Sequence, residues 1–94
     1  MDEKLLKIIN NYGVIAQLKH FQSEVWELNE AIISNYNDDE TFNCKDNINH
    51  IAEEIADVEV MLLQFKEYYH IDGKDILRIM NEKIERQLSR IKEK

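Results

Sequence analysis

Ile48-Asn49-His50-Ile51-Ala52-Glu53-Glu54-Ile55-Ala56-Asp57-Val58-Glu59-Val60-Met61-Leu62-Leu63-Gln64-Phe65 is the stretch that decides the fold. Ile48, Ile51, Ile55, Val58, Leu62 and Phe65 form one stripe at helical spacing, and Ala52, Ala56, Val60, Met61 and Leu63 occupy much of the remaining circumference. A helix apolar nearly all round is expected to be buried. The acids Glu54 and Asp57 sit inside this most apolar run, where an ionised carboxylate is costly unless it is paired or bound to a metal.

Outward from that helix, Tyr36 to Lys45 loses apolar periodicity and gathers Asn and Asp, which predicts a loop, with Asp46 as the N-cap of the next helix. The two glycines, Gly13 and Gly73, are read as helix stops, and proline is absent. The predicted helices cover 2–12, 14–35, 46–70 and 73–93, a single all-α domain over 1–94 resembling a four-helix bundle. No internal repeat and no low-complexity tract are expected.

In the second helix Val14, Leu18, Phe21, Val25, Leu28 and Ile32 share one face and read as core, while Ile15, Gln22, Trp26 and Ile33 form a flank for a partner subunit. The last helix carries Ile76, Leu77, Met80, Ile84, Leu88 and Ile91 on one side and charge elsewhere, which places it on the surface. At 94 residues a domain buries only about 60 to 65% of its unfolded surface, so a homodimer or homotetramer is expected.

The net charge of −7 opposes binding to a nucleic-acid polymer, which requires Lys and Arg to displace counterions. No run of apolar residues is long enough to span a membrane, and the N-terminus enters an amphipathic pattern without an apolar leader. The single cysteine, Cys44, builds neither a disulfide framework nor a zinc site, and reads as a free loop thiol. A cytoplasmic chain is expected.

Residues three apart on a helix are neighbours, so Glu24 with Glu27 and Glu54 with Asp57 each present two carboxylates side by side. Relative to the core stripe, Glu24 lies about 80° and Glu27 about 140° round, at the border of core and solvent. Mg²⁺, for which Mn²⁺ can substitute, takes one or two carboxylates and the phosphates of a substrate. Acid pairs at this spacing also arise by chance in a chain with 19 acids; Glu27 with Glu30, Asp72 with Asp75 and Glu82 with Glu85 read as solvated faces. Lys83, Arg86 and Arg90 line one edge of the last helix and suit phosphate contact, or else serve as cations favoured near a helix C-terminus. A di-iron bundle is excluded because Glu67-x-x-His70 has no second copy.

The run Tyr12-Gly13, Gln17, Glu24-x-x-Glu27-Leu28, Ala31, Glu53-Glu54-Ile55-Ala56-Asp57-Val58 and Lys83-x-x-Arg86 resembles the MazG-type nucleotide pyrophosphohydrolases over about three quarters of the chain. The resemblance implies an all-α oligomer that uses Mg²⁺ to cleave a nucleoside triphosphate to the monophosphate and pyrophosphate. It implies that Glu24, Glu27, Glu54 and Asp57 bind the metal and that Lys83 and Arg86, with Arg90 a looser match, contact phosphate. Glu27 is the acid assigned to deprotonate the attacking water. Gln17 and His20, on the side of Glu24, are candidates for the base edge, and Trp26, Tyr36 and Phe42 for stacking. The alternative is a helical oligomerisation or regulatory module on the same scaffold.

Overall fold

The computed structural model describes residues 2–36 and 48–93, and these form four helices: α1 (Asp2–Tyr12), α2 (Val14–Ile33), α3 (Ile48–Tyr68) and α4 (Gly73–Glu93). Asp46, Cys44 and Phe42 lie outside the described residues. No strand is present among the described residues, and no helix is long and apolar enough to cross a membrane.

Gly13 separates α1 from α2 with φ 91° and ψ 148°, a conformation essentially reserved for glycine. Its N–H still closes α1 on Ile9 O at 2.8 Å, and its carbonyl opens α2 by accepting from Gln17 N at 3.0 Å. α2 therefore follows α1 after a single residue. At the far end the stop is not Gly73, which is the first residue of α4. His70, at φ 55°, occupies the left-handed position instead, and Ile71 N to Lys66 O at 3.0 Å with His70 N to Glu67 O at 3.2 Å complete a Schellman cap. Asp72 then starts α4 by accepting from Lys74 N at 2.9 Å.

α2 and α3 pack as an antiparallel pair, with α1 laid across them and mainly against α3. Leu5 and Ile9 of α1, Ala31 of α2 and Met61 of α3 are the buried apolar side chains, and Phe21 meets Phe65 edge to face across the seam at 5.7 Å. The inward line of α2 runs Gln17, Phe21, Glu24, Leu28, Ala31, and that of α3 runs Ile51, Glu54, Val58, Met61, Phe65. Both steps alternate four and three residues, the spacing of a helix seam. Leu18, Val25 and Ile32, expected in the core, are exposed, as are Ile48, Ile55 and Leu62 of the helix expected to be buried all round. The physical reason is that α2 and α3 each carry two apolar arcs, and the arc that faces inward in one chain includes a glutamate on each helix.

α4 makes only sparse contact with the other helices and buries no residue. The radius of gyration is 16.7 Å, against about 12 Å for a compact domain of this length. The accessible surface is 7824 Å², against about 5,700 Å² expected for a compact monomer of this mass.

Candidate metal centre on the helix seam

Because α2 and α3 run antiparallel, the residues that meet across the seam advance on one helix as they recede on the other. Gln17 meets Gln64, Nε2 to Oε1 at 2.8 Å, with Met61 Sδ beside the same amide. Two turns further along α2, Glu24 comes level with Asp57, and Glu27 with Glu54. One ligand oxygen from each of Glu24, Glu27 and Glu54 lies within 4.8 Å of the others. The seam position of Glu24 is deeper than the border expected from the apolar stripe, because the stripe's centre is displaced toward Gln17, Glu24 and Ala31.

The side chains of Glu24 and Glu54 are 13% and 12% exposed. Each keeps one oxygen, Oε2, buried and without a hydrogen-bond partner. Two such oxygens in one cluster are a strong departure from the rule that buried polar atoms are satisfied, and a bound cation or water satisfies atoms of this kind. Burial pushes the Glu24 carboxyl above its ordinary value, Asp57 and Glu27 push it further, and the His20 contact opposes the rise. The donor set is all oxygen, which suits a hard divalent cation.

Asp57, expected as a fourth ligand, is exposed and stands outside the three-carboxylate group, acting on Glu24 by its charge. It lines a cavity of about 430 Å³ together with Tyr12, Gln17, His20, Glu24 and Gln64. On the other side of the cluster a second cavity of about 500 Å³ is lined by Trp26, Glu27, Ser34, His50 and Glu54. The acids thus form a wall between two hollows. Gln17 is buried with its amide spent on Gln64, and His20 Nε2 contacts Glu24 Oε1 at 2.9 Å. Lys83, Arg86 and Arg90 line a separate hollow of about 110 Å³ with Gln87 on α4.

Sequence alone reads His50 as a surface or satisfied histidine, yet a signal for its place beside the acids is present. His20, Glu24 and Glu27 are followed at an offset of 30 residues by His50, Glu54 and Asp57. This short recurrence is a match of side chains and not an internal repeat. It is three residues long in substance, too short to stand out as a structural repeat. On an antiparallel helix pair it generates a local two-fold relation: Glu24 beside Asp57 corresponds to Glu54 beside Glu27, and each cavity contains one histidine and one deep glutamate.

No family model matches the chain, and no match was found among curated proteins or among solved structures. The architecture and the site therefore carry the functional reading.

Proposed function

We propose that this chain is a Mg²⁺-dependent nucleotide pyrophosphohydrolase of the MazG type, acting in the cytoplasm on a nucleoside triphosphate to give the monophosphate and pyrophosphate. The observation that carries this reading is the group formed by Glu24, Glu27 and Glu54, with two buried oxygens that lack partners. Glu24, Glu27 and Glu54 would hold the cation, with Asp57 completing the charge at the cavity mouth. When bound, Mg²⁺ or Mn²⁺ supplies neutralisation of the triphosphate and acidification of a coordinated water. Glu27 is the most exposed of the three clustered acids, and so is the one reached by bulk water; it takes the proton from the nucleophile. The nucleoside would lie in the cavity beside Tyr12, Gln17 and His20.

Lys83, Arg86 and Arg90 are the phosphate contacts of this reading. In the single chain they face their own hollow, so their approach to substrate is assigned to an assembled homodimer or homotetramer. Association is supported by roughly 2,000 Å² of surface beyond that of a compact monomer, which is the scale of a stable subunit interface. The exposed stripe of Leu77, Met80, Ile84 and Leu88 provides the apolar part.

The test is release of pyrophosphate from a panel of NTPs and dNTPs with Mg²⁺ or Mn²⁺, repeated with Glu54→Gln. Turnover of at least one nucleotide, falling about 10³-fold in the variant, or about 4 kcal/mol at 1.36 kcal/mol per tenfold, is the expected result. The sparse packing of α4 favours one second reading, a non-catalytic oligomerisation module. A folded oligomer that releases pyrophosphate from no nucleotide would establish that reading in place of the enzyme.

A further inference from the structure

His20 does something more specific than line a cavity. His20 Nε2 lies 2.9 Å from Glu24 Oε1 and His50 Nε2 lies 3.9 Å from Glu54 Oε1, each from one helical turn before its glutamate. In both pairs the histidine side chain is 56% exposed while the glutamate is nearly buried. In both, the remaining glutamate oxygen is the buried one without a partner. Contacts between residues four apart are common on exposed helix faces and contribute little there. The His20 contact differs because its acceptor is a seam residue, whereas His50 at 3.9 Å lies beyond hydrogen-bond reach of Glu54.

A glutamate has three rotatable side-chain bonds, and an isolated one in a crowded acid cluster turns outward to water to escape its neighbours' charge. A donor fixed on the outer oxygen opposes that rotation. We propose that His20 is a positioning residue of the cation centre, anchoring the outer oxygen of Glu24 so that its inner oxygen stays directed into the acid cluster. His20 does not belong to the group of clustered ligand atoms, so it acts through the Glu24 carboxylate and not as a ligand. This inference rests on the cation reading given above, and partners of this kind typically contribute ten- to a hundred-fold to metal affinity.

The experiment is Mn²⁺ binding to the full chain, followed by electron paramagnetic resonance and by calorimetry, with no nucleotide present. Glutamine places an N–H near the position of histidine Nε2, whereas leucine keeps bulk and removes the donor. His20→Leu should weaken Mn²⁺ binding about ten-fold or more, and His20→Gln should restore most of it. His20→Ala carries the test should His20→Leu fail to fold, and His50→Leu, which removes no donor within reach of its glutamate, should bind Mn²⁺ as tightly as wild type. A His20→Leu variant that binds as tightly as wild type, or a His20→Gln variant no better than His20→Leu, overturns the positioning role and leaves the cation centre standing. A wild-type chain that binds no Mn²⁺ overturns the centre itself, and the positioning role with it.

Discussion

The side chains of Glu24 and Glu54 are 13% and 12% exposed, whereas Ile84 and Leu88 of α4 are 51% and 48% exposed. Within one chain, acids occupy the seam and isoleucine and leucine face water, an inversion of the ordinary partition of side chains. The α2/α3 pair is held by α1, by the Phe21–Phe65 contact and by the glutamine pair, and it tolerates costly carboxylates at its centre. α4 is of similar length and just as regularly patterned, yet among the described residues Leu77, Met80, Ile84, Leu88 and Ile91 of its stripe remain exposed. The comparison separates two settings of amphipathicity: one face closes a core and frames a polar centre, and the other stays exposed in the single chain.

Truncations in the two regions test this most strongly. Ile9, fully buried where α1 meets the pair, should cost about 2 to 5 kcal/mol when changed to alanine. Ile84→Ala should stay within about 0.5 kcal/mol in dilute monomer, while shifting association to higher protein concentration in sedimentation velocity. Equal destabilisation of monomer by both changes would erase the distinction. Next in size is Gly13→Ala. A Cβ at that position meets nothing within 4 Å, so the cost is purely that of a backbone conformation alanine rarely adopts, about 1 to 3 kcal/mol, measurable by urea denaturation.

The smallest effect concerns the acids themselves. The Glu24 carboxyl is raised from its ordinary value of 4.5 in the folded chain, so the folded state holds that proton more tightly than the unfolded state does. The stability this group contributes is full below the ordinary value and is lost as pH rises through the raised one. In cation-free protein, Glu24→Gln should therefore melt at a higher temperature than wild type near neutrality, with the difference shrinking as the pH is lowered. A difference that grows on acidification would contradict the burial of Glu24.

The helices were legible in the sequence because apolar spacing and Gly13 mark them physically; α1 and α4 have the bounds read from the residues, and α2 and α3 end within two residues of the ends read. The end of α3 was less so. His70 takes the left-handed conformation that glycine usually supplies, and residue type alone favoured Gly73. The inward faces were misplaced because periodicity counts apolar residues and passes over a buried glutamate or glutamine, although Gln17, Glu24, Glu54 and Gln64 define the seam as much as Phe21 and Met61 do. Of the acids, three of the four proposed come together. The fourth stands aside because the local two-fold places Asp57 opposite Glu24, where its shorter side chain lies at the cavity mouth. The histidine contacts depended on knowing which face of each helix was inward, and spacing alone does not contain that.

The buried contact between Gln17 and Gln64 has a consequence for the alternatives open to the chain. Two helices joined only by apolar side chains can slide past one another by a turn, about 5.4 Å, and find comparable packing in the new register. Here such a slide would part the two amides and leave each buried without its partner, at about 1 to 3 kcal/mol apiece. The pair thus acts as a key for alignment, and Glu24, Glu27 and Glu54 are level with one another only in the register it selects.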